Sequence, residues 1–138
     1  MRDKGDSRMT PGMMEGSRQT RGAHTALVVD DEPEVRTVVR NVLVRQGYEV
    51  LEADDGVAAF ELLQRLSGRV QLLVTEIRVP RMDGITLARK VNADYPRIEV
   101  LYIAGFTAEP PTDIPRHRFL PKPFRSDDLA QRIRSLVA

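Results

Sequence analysis

"LLVTEIRVPRMDG", residues 72–84, runs from four apolar or β-branched residues straight into one carboxylate, Glu76. Such a run reads as a buried strand that delivers an acid to its end. Pro80 follows four residues later, and then Met82-Asp83-Gly84 opens what reads as a helix. The same grammar recurs on both sides. "TALVVD" (25–30), "YEVLEA" (48–53), "VQLLVTE" (70–76), "IEVLYIA" (98–104) and "RFLP" (118–121) are five strand candidates. Between them lie stripes at helical spacing. Val35, Val38, Val39, Val42 and Leu43 form the first and end at Gly47, and Ala59, Leu62, Leu63 and Leu66 form the second. Leu87, Ala88, Val91 and Tyr95 form the third, and Leu129, Ile133, Leu136 and Val137 form the last, with Ser126 as its expected N-cap.

Strands alternating with helices of this length imply parallel pairing through right-handed crossovers, with helices on both faces. The expected fold is a doubly wound α/β sandwich of three layers around a five-stranded sheet. One interval breaks the pattern. "GFTAEPPTDIPRH" (105–117) carries Pro110, Pro111 and Pro115. Each removes a backbone donor and clashes with the preceding turn, so a short or missing fourth helix is expected.

Composition limits the function. The 138 residues are 41% hydrophobic and 30% charged with a net charge of +1, which fits one globular domain and favours neither nucleic acid nor a membrane surface. No stretch approaches the roughly 18 apolar residues of a membrane span. The absence of cysteine excludes disulfides and thiolate metal sites and fits a reducing cytoplasm. Residues 1–24 are rich in Gly, Ser, Arg and Met, with five basic residues against three acids, and read as a disordered tail. Met9, Met13 and Met14 offer alternative translation starts within it. The domain is expected over 25–138, and its end at Ala138 leaves no room for a DNA-binding helix-turn-helix.

Ligand sites in open α/β sheets form outside the carboxyl ends of the strands. Strand 1 ends in Asp30-Asp31, strand 3 in Glu76 and strand 4 in Ala104-Gly105, while strand 5 runs into Lys122. Singly, each has an ordinary reading: Asp31 as a helix cap before Pro33, Asp83 as a turn or cap, Glu76 as a strand terminus, Lys122 as a solvated lysine. Jointly, acids clustered with one lysine on one rim point to a hard-cation and phosphoryl site, since Mg²⁺ takes oxygen ligands. A flavodoxin-type cofactor site is disfavoured because "DDEPE" (30–34) is acidic where a phosphate-bearing cofactor needs backbone donors.

These residues resemble a response-regulator receiver domain of two-component signalling. The resemblance spans 25–138 and rests on "LVVDDEPEVR" (27–36), "VTEIRVPRMDGITLA" (74–88), "VLYIAGFT" (100–107) and "FLPKPF" (119–124). It implies a flavodoxin-like fold. It also implies a Mg²⁺ site at Asp30 and Asp31, completed by Glu76 and the backbone carbonyl of Arg78. The resemblance likewise matches Lys122 to the family's phosphoryl-pairing lysine, before a Lys122-Pro123 bond that the family often keeps cis, and places Phe119 at its aromatic switch position. Two positions depart from the family pattern. Glu76 stands at the phosphoacceptor aspartate, and Ala104 at the serine or threonine that follows the phosphoryl group.

An extra methylene advances the carboxylate by about 1.5 Å, and misplacement near 1 Å can cost about 10²-fold in rate. The longer acid is expected to reach Lys122 itself. The expected protein is therefore a receiver with phosphorylation lost or impaired, binding Mg²⁺ weakly and serving as an interaction module. Its expected partners are a histidine kinase or an output protein, with homodimerisation left open. It is not expected to be an enzyme beyond residual self-phosphorylation chemistry. The alternative is a working phosphoacceptor that takes a phosphoryl group on an active-site carboxylate with Mg²⁺.

Overall fold

The structure, a computed structural model, describes residues 24–105, 111 and 113–137. The tail expected above, apart from His24, and residues 106–110 and 112 of the 105–117 interval lie outside the described residues. In chain order the elements are β1 (His24–Val29), α1 (Pro33–Arg45), β2 (Tyr48–Ala53), α2 (Gly56–Arg65), β3 (Leu72–Glu76), α3 (Gly84–Asp94), β4 (Glu99–Ala104), β5 (Phe119–Pro121) and α4 (Ser126–Val137). The sheet order is β2-β1-β3-β4-β5, and every neighbouring pair is parallel. This is the doubly wound five-stranded sandwich expected from the alternation.

Strand side chains point alternately to the two faces, and each face finds its own helices. Ala26, Val28, Leu72, Val74, Leu101 and Ile103 pack with Val39, Val42 and Leu43 of α1 and Leu129 and Ile133 of α4. Leu27, Val29, Leu73 and Val100 pack with Ala59 and Leu63 of α2 and Leu87, Ala88 and Val91 of α3. All five residues of β3 are buried, as its unbroken apolar sequence requires for a central parallel strand.

Between β4 and β5 the described residues hold only a three-residue 3₁₀ turn, Arg116–Arg118, in place of a fourth helix. Ile114, buried against Ala104 and Phe119, contributes some of the apolar cover such a helix would give. The three-residue edge strand β5 ends in a proline, and the Arg132 guanidinium donates to the carbonyls of Phe119 and Arg116. Its outer edge is thereby partly closed to further pairing.

Several boundaries move. β1 starts at His24 rather than Thr25, and β3 at Leu72 because Val70 and Gln71 complete a turn and a bond to Thr25 O. Ser126 is not the cap of α4 but lies in its first turn, since Leu129 N donates to Arg125 O. Val38, placed on the apolar stripe of the first helix, is 41% exposed. The buried stripe of α1 is Val39, Val42 and Leu43, with Val35 partly buried against the same core.

Tyr48 carries a liability. Its ring is buried in the α1/α4 layer and meets His24 edge-on at 5.9 Å, but its hydroxyl has no hydrogen-bond partner among the described residues. Burial accordingly pushes the phenol pKa up. An unsatisfied buried hydroxyl costs about 1–3 kcal/mol. Tyr48→Phe is therefore expected to hold or raise the stability, by up to about 1 kcal/mol, in urea unfolding; a loss larger than that would show that the hydroxyl is satisfied.

Candidate functional site

Because all five strands run the same way, their carboxyl ends share one edge of the sheet. Asp30 leaves β1 fully buried, Glu76 ends β3 at 5% exposure, and Lys122 follows β5. The Lys122 amide donates to Ala104 O at 2.8 Å, which extends the β4–β5 pairing to the lysine, and the Lys122-Pro123 peptide is cis. The ammonium Nζ lies 2.6 Å from Glu76 Oε1, 3.0 Å from Asp30 Oδ2 and 3.2 Å from Glu32 Oε1. Three carboxylates from two loops thus surround one cation.

Both oxygens of Glu76 are engaged. Oε2 accepts the backbone N–H of Arg78 at 3.0 Å while Oε1 meets Lys122. Asp30 Oδ1 accepts the Glu32 amide at 2.9 Å. Its buried Oδ2 pairs with Lys122 Nζ at 3.0 Å as an ion pair but makes no hydrogen bond. Burial raises the Asp30 pKa; the Glu32 amide and Lys122 pull it back, and the neighbouring Glu76 charge raises it again. For Lys122, burial disfavours the charge, but the close contacts and charges of Glu76 and Asp30 outweigh it and leave the pKa above the ordinary 10.5. Lysine charge is retained because its acids are buried with it.

The β3–α3 turn is built around Glu76. Asp83 caps α3, its Oδ1 accepting from Thr86 N at 2.8 Å, so it is a helix cap rather than a ligand. Gly84 donates to Ile77 O at 2.8 Å, and a Cβ there would fall 2.3 Å from Glu76 O. Only glycine lets the helix start this close to the strand end.

Not every candidate joins the cluster. Asp31 is exposed and does not cap α1, whose N-cap is Glu32 with no side-chain cap. Asp31 instead lines the mouth of a cleft of about 640 Å³ with Glu34, Val38, Arg78 and Phe124, and Glu76 and Lys122 line it too. Ala104 and Phe119 are buried together with Ile114. Two residues escaped the sequence reading. Glu32, third acid of "DDE", reaches Lys122, and Arg36 Nη1 donates to Asp30 O at 2.6 Å. The signal for Glu32 was available in the acidic triplet; that for Arg36, one of three arginines on α1, was not.

Residues 26–134 match the response regulator receiver domain family. The chain belongs to that family. It is 36% identical over 115 residues to the response regulator receiver protein CpdR of Brucella abortus, covering 80% of this chain and 94% of CpdR. It is 35% identical over 121 residues to the sensor kinase CckA of the same organism, covering 84% of this chain but only 13% of the kinase. Among solved structures, a response regulator receiver protein from Sinorhizobium medicae superposes with a TM-score of 0.74 at 29% identity, over 83% of this chain and 94% of that one. The protein is thus a receiver domain of two-component signalling. Receivers are signalling modules rather than enzymes in general, interact with histidine kinases and output domains, and typically bind Mg²⁺ where they are phosphorylated. No described helix of this receiver is long and apolar enough to cross a membrane.

Removing the cation would strand two buried acids. Lys122→Met is expected to cost about 3–5 kcal/mol near neutral pH, read by denaturant unfolding. The pH dependence has a definite sign. A raised lysine pKa contributes stability that is complete below the unfolded value near 10.5 and is lost as pH rises through the folded value. The gap between wild type and Lys122→Met should stay constant from about pH 7 to 10 and shrink above that. A gap that grows at alkaline pH would contradict this.

Proposed function

We propose that this receiver keeps the family fold but not the phosphoryl switch, and acts as a protein-interaction module for a histidine kinase or an output protein. The observation that carries the reading is the 2.6 Å contact between Glu76 and Lys122. In-line phosphoryl transfer needs an acid with a free oxygen at the right depth and a cation left for the incoming charge. Glu76 has neither oxygen free, and its carboxylate already occupies the lysine.

The transmitting positions support the same reading. Ala104 has no hydroxyl to follow a phosphoryl group, so the first link of the family's switch is missing. Phe119 is already buried beside it, in contact with Ile114, and turning the ring outward would expose apolar surface at about 25 cal/mol per Å². The short fourth crossover leaves no full helix among the described residues for the switch to move.

One observation favours the second reading, a receiver that still accepts a phosphoryl group. Mg²⁺ needs only one or two carboxylates with waters, and Asp30 Oδ2, which has no hydrogen bond beside its ion pair with Lys122, fits that demand together with exposed Asp31. Against a strong site, no three acids or histidines among the described residues are grouped to hold a metal. Asp30 and Asp31 would hold the ion, with the Arg78 carbonyl at the cleft. When bound it supplies charge neutralisation for phosphoryl transfer.

Incubation with acetyl phosphate and Mg²⁺, followed by intact mass, separates the two. The wild type is expected to gain no phosphoryl mass, whereas Glu76→Asp with Ala104→Thr regains it. Phosphorylation of the unaltered protein on a carboxylate would overturn the proposal. Glu76→Asp, by freeing Lys122 in part, is also expected to tighten Mg²⁺ binding in a titration; unchanged affinity would count against the Glu76–Lys122 lock.

A further inference from the structure

The loop between β2 and α2 contributes no side chain to the Lys122 cluster, yet it is bonded to both loops that do. On one side, Asp30 N donates to Ala53 O at 3.2 Å. Next to it, Glu52 Oε1 takes Arg36 Nε at 3.1 Å, while Nη1 of the same guanidinium donates to Asp30 O at 2.6 Å. Arg40 Nε reaches the second Glu52 oxygen at 3.7 Å. A single carboxylate at the end of β2 thereby orients the arginine that grips the backbone of the buried Asp30.

On the other side, Asp55 divides its two oxygens. Oδ1 caps α2 by accepting Ala58 N at 2.8 Å, and Oδ2 pairs with Arg81 Nη2 at 3.1 Å. Gly56 N donates to Pro80 O at 3.2 Å, and a Cβ on Gly56 would fall 1.9 Å from Met82 O. The β3–α3 loop is therefore seated directly on the start of α2. Arg81 sits there at φ +69°, a left-handed conformation that costs a non-glycine residue on the order of 1–2 kcal/mol. Such a conformation persists only where its surroundings enforce it. The Asp55 ion pair and the Gly56–Pro80 bond supply that enforcement, and the loop they hold carries the Arg78 N–H that fixes Glu76.

We propose that Glu52 and Asp55 are positioning residues for the receiver site: through Arg36 and Arg81 the end of β2 and the β2–α2 loop brace the β1–α1 and β3–α3 loops, and so set where Asp30 and Glu76 meet Lys122. The brace works on loop geometry and is independent of whether Glu76 can take a phosphoryl group.

Site-specific amide hydrogen exchange on the whole chain tests it. The Glu32 amide reports the Asp30 side, because it donates to Asp30 Oδ1, and the Arg78 amide reports the Glu76 side. Arg36→Gln is expected to speed exchange at Glu32 by about tenfold, the scale of a lost charge-assisted hydrogen bond, and to leave Arg78 unchanged. Asp55→Asn keeps a good helix cap but drops the charge. It should speed Arg78 by about threefold, as for a partly exposed ion pair, while Ala58 stays protected. Glu52→Gln with Asp55→Asn should loosen both reporters with the urea midpoint little changed. Equal protection at both reporters in all variants would overturn the proposal. So would a uniform rise across every amide that merely tracks lost global stability.

Discussion

A lysine ammonium held 2.6–3.2 Å from three carboxylates is the constraint on which the rest of this molecule turns. At an effective dielectric of about 20, unit charges at such separations attract by about 5–6 kcal/mol. Burying each ion costs several kcal/mol. The two are comparable, so geometry decides whether the cluster is a gain or a loss. The parallel sheet supplies that geometry. It brings Asp30, Glu76 and Lys122, far apart in sequence, to one edge with backbones already hydrogen-bonded, leaving only side chains to be ordered.

In that setting the length of one side chain matters more than its charge. Glu76 ends the central strand with one oxygen on Lys122 and the other on the Arg78 amide, and on the reading proposed above its added methylene is what gives it that reach. The site is satisfied from within. The contacts that follow among the described residues, Ala104 against Phe119 and Ile114, are apolar. On the reading proposed above, the receiver fold is kept while the resting state of the site is already closed.

Much of this was legible in the sequence, and for identifiable reasons. Leu72–Glu76 is buried on both faces, so its apolar run had no competing reading, and the strand–helix alternation followed from it. The prolines of 105–117 argued against a full fourth helix by loss of donors, and the described residues of that interval hold only the 3₁₀ turn Arg116–Arg118. The meeting of Asp30, Glu76 and Lys122 followed from strand ends alone. What could not be read depended on side-chain reach and local packing. Glu32 finds Lys122 across 90 residues of sequence, and Arg36 turns back onto Asp30 O. Val38 has helical spacing but is exposed. Ser126 has the chemistry of a cap but lies one position inside the helix, a shift that periodicity does not resolve.

The most direct test of the lock is the Lys122 ammonium itself, observed by ¹⁵N-resolved NMR in the unmodified protein near neutral pH. The account requires a slowly exchanging, fully protonated Nζ whose hydrogens correlate across hydrogen bonds to the Glu76 carboxylate. A rapidly exchanging ammonium with free side-chain motion would contradict it, because Glu76 would then be available and the closed resting site would not exist.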